Sequence, residues 1–542
     1  MDNPRQILRD RIRDRSLRRF KRFALFLIFV NTTILVLCLS SLGVDESSEN
    51  FDKSFRERFE EITKEVLQKR KKPGVDHVAK QREILTKRRS PPIFNGPQND
   101  RQRQIVEAFL HGWKGYRRFA WGKDELKPVF KSFGDEYGLG LTIMDSLDTA
   151  IIMGLDNEVK ASIDWLENDF YLKDTYVNTF ETTIRVLGGL LSAYHLTGEP
   201  VFQKHANIFG DALLSAWNYT KIPLNRVNLL HKKGANFLPY SNLAEVGSFQ
   251  LEFRDLAEVT MDDRYMEVVE KANEVLTELG CPDEGLCFSN ISPILNKFQE
   301  TVLTVGARTD SFYEYLLKQY LQTGEEQYLN AWNTSMELVR EDMYKSMGHN
   351  KTYIVGEIEL NGQLNPKMDH LACWLPGSLA LSYMYGINRK HLEMAENIAE
   401  TCWKMYRTPT GLAPEIVYWK GRKMTAKKYD KFSLLRPEAV ESFFYLYQVT
   451  RNEKYRDWSW KIFESIQKYA KVPTGGYSSI RNVFRTEKIE RIDRMESFFL
   501  AETLKYLYLT MADETIFSLT RWVFNTEAHP LPIYEKKLVF DF

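Results

Sequence analysis

The segment HLTGEPVF at residues 195–202 returns five times in altered form: EVTMDDRY at 258–265, LQTGEEQY at 321–328, MYGINRKH at 384–391, QVTRNEKY at 448–455 and YLTMADET at 508–515. Each closes one apolar, helically spaced stretch and opens another. With Thr197, Thr260, Thr323, Gly386, Thr450 and Thr510 as markers, the steps are 63, 63, 63, 64 and 60 residues. An earlier turn, IMGLDNEV at 152–159, precedes the first marker by a shorter interval and brings the units to seven. A step of about sixty residues holds two helices of ordinary length with their connections. A lone helix pair cannot bury both apolar faces, so the repetition predicts pairs stacked into a ring or a solenoid. The closed ring is the expectation, because an open solenoid should show shorter, simpler repeats with polar end caps. The predicted fold is all-α, with residues from distant parts of the chain meeting over a central cavity.

Outward from the repeats, the chain changes character. Hydrophobic residues make up 43% and aromatics 13% of 542 residues, enough for a large core. The net charge of +1 gives no whole-chain field for nucleic acid. Residues 1–22 hold nine Lys or Arg, and an apolar run of twenty follows from Phe23 to Leu42. That run matches one bilayer crossing at about 1.5 Å per residue. The basic flank places the N-terminus in the cytosol and the rest in the lumen. A cleaved signal peptide is the alternative; the run is long for one, and no clear small-residue cleavage site follows. The expected organisation is a cytosolic tail (1–22), a transmembrane signal-anchor (23–42), a lumenal stem (43–100) and a helical ring (101–542).

Asn218, Asn290, Asn333 and Asn350 stand in N-x-S/T triplets, in keeping with a lumenal location. Of five cysteines, Cys38 lies in the apolar run, leaving Cys281, Cys287, Cys373 and Cys402. An even lumenal count permits two disulfides, and free buried thiols are the alternative.

Acidic residues recur among aromatic, Arg and Pro neighbours, one group per repeat. They are Glu181 in NTFETTIR, Asp310 in GARTDSFYEY with Arg308, Glu415 in GLAPEIV, and Glu438 and Glu441 in LLRPEAVESFFYLY with Arg436. Glu496 and Glu502 follow in MESFFLAETLKY, and Glu527 in FNTEAHPLP with Thr526. An acid inside an apolar helix start is costly to bury unless partnered or functional, although such acids also answer the helix dipole. Their recurrence favours a shared acidic pocket. Glycoside cleavage uses such a pocket, with one protonated acid on the leaving oxygen and one carboxylate at the anomeric centre.

AFLHGWKGYRRFAWGKDELKP, FGDEYGLGLTIMDSLDTA, NTFETTIRVLGGLLSAY, GARTDSFYEYLLKQ, KMDHLACWLPGSLAL, LLRPEAVESFFYLY, PTGGYSSI, MESFFLAETLKYLYL and VFNTEAHPLP occur in this order. Together they resemble the class I α-1,2-mannosidases, glycoside hydrolase family 47, from about Arg101 to Pro532. The resemblance implies an (α/α)7 barrel and an inverting exo-mannosidase acting on high-mannose N-glycans in the endoplasmic reticulum or early Golgi membrane. It implies Glu181 as proton donor, with Asp310, Glu438 and Glu415 as the other catalytic acids and Glu438 as the base for water. The carboxyls of an inverting pair are expected roughly 6.5–9.5 Å apart. Thr526 would bind Ca2+ through its hydroxyl and carbonyl oxygens, with waters and sugar hydroxyls completing the shell. Glu441, Glu502 and Glu527 would hold those waters or the sugar, and Phe498 would stack beneath it. Glu245, Arg308, His370 and Arg436 match cavity positions, and Cys373 and Cys402 match the family's disulfide. Arg308 matches the endoplasmic-reticulum type, implying removal of one mannose from Man9 to give Man8.

Two other readings compete. A weakly hydrolytic relative would bind mannose-rich glycans and deliver misfolded glycoproteins for degradation; the full set of acids argues for retained catalysis. The other is a different α-toroid enzyme, such as an inverting glucosidase or a terpene cyclase; a cyclase should show an Asp-rich metal-diphosphate cluster, for which DSLD at 145–148 is a poor substitute.

Overall fold

The computed structural model describes residues 94–281, 285–347 and 352–534. The first seven of fourteen principal helices among them are α1 (Asp100–Phe119), α2 (Leu141–Ile152), α3 (Asp156–Asn168), α4 (Gly188–Thr197), α5 (Pro200–Leu213), α6 (Gln250–Thr260) and α7 (Arg264–Glu278). The rest are α8 (Asp310–Thr323), α9 (Glu326–Leu338), α10 (Leu375–Met384), α11 (Lys390–Met405), α12 (Glu438–Thr450), α13 (Lys454–Tyr469) and α14 (Leu504–Thr510). Even-numbered helices are mostly buried and form the inner wall: α2 buries all but its first residue. Odd-numbered helices are amphipathic and lie outside; α3 buries only Ser162, Trp165 and Leu166.

Each inner helix packs on the next, from α2 through α14, and α2 packs on the π-helical segment Phe499–Thr503 that leads into α14. The ring is therefore closed, as expected. Outside, α1 packs on α14. It also meets the loop after α13, where a Cβ on Gly115 would lie 2.6 Å from the Gly475 carbonyl carbon. Gly475 and Gly476 have φ of 118° and 88°, so this closure accounts for the glycines of PTGGYSSI.

The repeated turns end the inner helices. Thr197, Thr260, Thr323, Thr450 and Thr510 each donate a side-chain hydrogen bond to the carbonyl four residues back. The residue after the marker takes a left-handed conformation in four of these, Gly198, Met261, Gly324 and Arg451, and caps the helix. Inner helices thus finish at one end of the ring and begin at the other, where the acids sit.

The fold is mainly helical but not all-α. Connections from outer to inner helices carry short antiparallel ladders, such as Tyr176–Asn178 with Arg226–Asn228 and Lys233–Ala235. These connections are long enough to pair with themselves and with the next connection, and strands of two to five residues leave no periodicity to read. The last ladder, Trp522–Phe524 with Pro530–Pro532, packs on inner helices α4, α6 and α8. Its turn, Asn525–His529, is largely buried, and His529 lies between Asp145 and Asp148 of α2.

Disulfides join Cys373 to Cys402 and Cys281 to Cys287. The first ties the 3-10 turn His370–Trp374 to α11. The expected anchor at 23–42 and most of the stem lie outside the described residues. Among the described residues no helix is long and apolar enough to cross a membrane.

Candidate active site

A cavity of about 250 Å³ opens at the end of the ring where the inner helices begin. Its lining includes Glu181, Glu245, Arg308, Asp310, Arg436, Glu438, Glu441, Phe498, Glu502, Thr526 and Glu527. Residues separated by up to about 350 positions meet there because most lie at or near the starts of inner helices, with Thr526 and Glu527 supplied by the turn of the last ladder. The volume is below the roughly 300–1,000 Å³ of sites that enclose a whole drug-sized ligand, which suits one terminal ring of a larger molecule.

Asn178 starts the turn that carries Glu181: its side chain accepts the Glu181 N–H at 2.9 Å and donates to Glu245 Oε1 at 2.9 Å. Glu245 belongs to a capping box with Asn242, so one asparagine fixes two cavity acids. The chain continues as a π-helix, Thr182–Leu187, which turns Arg185 inward. Arg185 donates to Glu181 Oε2 at 2.6 Å and to Ser497 Oγ at 3.1 Å, and it pairs with Glu527 and Asp145. A second π-helical segment, Phe499–Thr503, carries Glu502.

Asp310 and Glu438 are the first residues of α8 and α12. Burial pushes the Asp310 carboxyl up to about 8, against a hydrogen bond from the Ser311 N–H and with Asp369, Glu314 and Glu438 adding negative charge. Burial also opposes ionisation of Glu438, but the His370 hydrogen bond and the charges of His370 and Arg436 outweigh it. Glu438 is therefore held below the usual carboxylate range. His370 and Glu415, both expected in the cavity, do not line it. His370 stands behind Glu438, its Nδ1 2.8 Å from the carboxylate and its Nε2 2.7 Å from the Tyr406 hydroxyl. Glu415 stands behind Arg436, accepting from its Nε at 2.5 Å and from the Leu434 N–H at 3.1 Å. Sequence places both beside cavity residues, but each is spent orienting a neighbour.

Phe498 has two cations near its ring, the Arg185 and Arg436 guanidinium carbons each 5.7 Å from its centre. Three non-glycine residues at the site have left-handed backbones: Arg308 at φ 80°, Leu435 beside Arg436 at 62°, and Ala528 beside Glu527 at 60°. Such conformations cost roughly 1–3 kcal/mol each and persist only where the surroundings enforce them. Arg185 and Glu314, absent from the residues picked out by sequence, complete the site. Both were visible as residues one helical turn beyond Glu181 and Asp310 in the quoted motifs.

Glu441, Glu502 and Glu527 are pushed well above the usual range, first by burial and then by one another and their acidic neighbours. This crowding of hard oxygens around Thr526 is what a divalent cation would relieve. Among the described residues no three His, Cys, Asp or Glu groups close directly on one point. Thr526 and the three carboxyls share one cavity, a hard-oxygen set of the kind a divalent cation takes.

Two buried carboxyls of opposite proton affinity, in a sugar-sized cavity on a helical toroid, define a glycosidase-type centre. The profile of glycosyl hydrolase family 47 matches residues 108–533, and the chain belongs to that family. Human endoplasmic reticulum mannosyl-oligosaccharide 1,2-alpha-mannosidase is 45% identical over 482 residues, 85% of this chain and 68% of that protein. Mannosyl-oligosaccharide 1,2-alpha-mannosidase MNS1 of Arabidopsis thaliana is 40% identical, covering 95% of this chain and 92% of its own. The solved structure of an alpha-1,2-mannosidase from Trichoderma reesei superposes with a TM-score of 0.74 at 26% identity, over 81% of this chain and 100% of that one.

Proposed function

We propose that this chain is an inverting exo-α-1,2-mannosidase that trims high-mannose N-glycans, converting Man9 to Man8. The observation that carries the reading is the contrast between Glu438, held ionised by His370 and Arg436, and Asp310, protonated to about pH 8. Inversion needs a base that takes a proton from water as the water attacks the anomeric carbon. It also needs an acid that gives a proton to the departing glycosidic oxygen. Glu438 suits the first role. For the second, the family resemblance favours Glu181. Arg185 holds Glu181 in place at 2.6 Å, and Asp310, pushed up to about 8 by burial, is a second proton store in the same cavity. The cleaved bond leaves the released mannose with inverted configuration, Glu438 protonated and the acid deprotonated.

Calcium is the proposed cofactor. Thr526 would bind it, Glu441, Glu502 and Glu527 would hold its waters, and the ion would supply a hard positive charge for sugar hydroxyls. Arg436 and Arg185 lie near Phe498, the proposed platform for the sugar ring. The name of the human relative supports the endoplasmic reticulum, and the basic, then apolar, N-terminal sequence supports a single-pass type II anchor. On this reading the domains are those set out from the sequence, with residues 101–542 catalytic.

The test is digestion of Man9 with and without EDTA, products resolved by branch isomer. Accumulation of one Man8 isomer, abolished by EDTA and restored by calcium, is expected. Passage to Man5 without a pause, or full activity in EDTA, would count against specificity or metal respectively. A glycan-binding, weakly hydrolytic protein would retain Man9 without trimming it. The donor is separated with α-mannosyl fluoride, whose departure needs no proton: the variant of the true acid retains turnover of the fluoride but not of the glycan.

A further inference from the structure

Asn525 is fully buried at the base of the turn that presents Thr526. Its side-chain amide uses every hydrogen-bonding site it has. Oδ1 accepts the backbone N–H groups of Glu527 at 2.9 Å and His529 at 2.8 Å. Nδ2 donates to the Ile184 carbonyl at 3.0 Å and to Glu252 Oε1 at 2.7 Å. An asparagine offers two donor hydrogens and two acceptor lone pairs, so nothing is left over. Two N–H groups on one side and two oxygens on the other also permit only one orientation of the amide.

The four bonds divide in purpose. Two close the turn on itself, and two fasten it to the wall of the ring. Ile184 belongs to the π-helix of Arg185, and Glu252 to α6. The wall leaves room for this contact, since a Cβ on Gly188 would lie 2.6 Å from Asn525 Nδ2. Lysines from two further inner helices support the turn from below: Lys505 donates to the Ala528 carbonyl at 2.7 Å and Lys318 to the Asn525 carbonyl at 3.5 Å.

We infer that Asn525 is a positioning residue for the cation, locking the Thr526 turn to the barrel wall so that calcium meets preformed oxygens. The inference rests on the calcium reading proposed above. Groups that orient a metal ligand without touching the metal typically cost about 10–100-fold in affinity when changed.

The experiment is calorimetric calcium titration of the full 542-residue chain in detergent after EDTA treatment, paired with melting curves with and without calcium. Asn525→Asp is isosteric but turns an acceptor toward Ile184 and Glu252; Asn525→Ser is a milder variant that cannot reach them. Thr526→Ala is the control. Both Asn525 variants are expected to bind calcium at least about tenfold more weakly, with a smaller calcium-induced rise in Tm, while folding in EDTA. No calcium binding by the unmodified chain would overturn the metal reading and this inference together. Binding by the unmodified chain, lost in Thr526→Ala but within about twofold in folded Asn525 variants, would overturn the inference alone. Failure of both variants to fold with or without calcium would assign Asn525 to the fold and also overturn it.

Discussion

Glu438 and His370 meet at 2.8 Å, and the far nitrogen of the same imidazole lies 2.7 Å from the buried Tyr406 hydroxyl. The carboxylate faces the cavity while the imidazole that controls it does not. The histidine thus sets the proton affinity of the proposed base from behind.

In His370→Phe the carboxyl of Glu438 should lose its main support for ionisation and titrate at higher pH. Because the depressed pKa keeps the base ionised into acid, the acidic limb of kcat/KM should move upward. A shift of about one unit would cut activity up to about tenfold at pH values below both pKa values while leaving pH 7 almost unaffected. Stability should follow the same sign: the contribution of Glu438, present above its unfolded pKa and lost as pH falls through the folded value, should shrink. An unchanged pH–rate profile would remove His370 from this role.

Asp310 carries the opposite sign. Its folded pKa of about 8 lies above the unfolded value, so its contribution is full at low pH and lost as pH rises through about 8. Asp310→Asn keeps the acceptor for the Ser311 N–H but cannot ionise. It should be more stable than the unmodified chain at pH 7–8, by roughly 2–4 kcal/mol, yet lose about 10²–10⁴ of its activity. Equal melting temperatures across pH 5–8 would contradict the burial argument.

Arg308 joins strain to specificity. Its planar fork can grip several hydroxyls, and its φ of 80° holds it at the cavity. Arg308→Leu should trim Man9 beyond Man8. Arg308→Gly should do the same but melt above the leucine variant, since glycine relieves a left-handed cost of about 1 kcal/mol. Products should be followed by chromatography and stability by melting curves.

Glu415 should behave as a support for Arg436. Glu415→Gln keeps the shape and loses the charge, so KM should rise by about tenfold, with kcat changed much less. A fall in kcat of about 10² or more with KM unchanged would instead assign Glu415 to proton transfer.

The sequence alone determined the periodicity and the chemistry of the positions. Thr197, Thr323 and Thr450 mark helix ends because capping is local, settled by a side chain and the carbonyl four residues behind it. The acids at the starts of α8 and α12 were legible for the same reason: a charge among apolar neighbours needs a purpose wherever it folds. Tertiary structure alone decided which of those acids touch the cavity: Glu415, just before the strand Ile416–Lys420, ends behind Arg436, while Glu438 at the start of α12 faces the cavity. It also decided the proton affinities, which depend on burial and on charges brought from other repeats. The clamp of Asn525 belongs there too, because its partners Ile184 and Glu252 lie hundreds of residues away and become neighbours only when the ring closes.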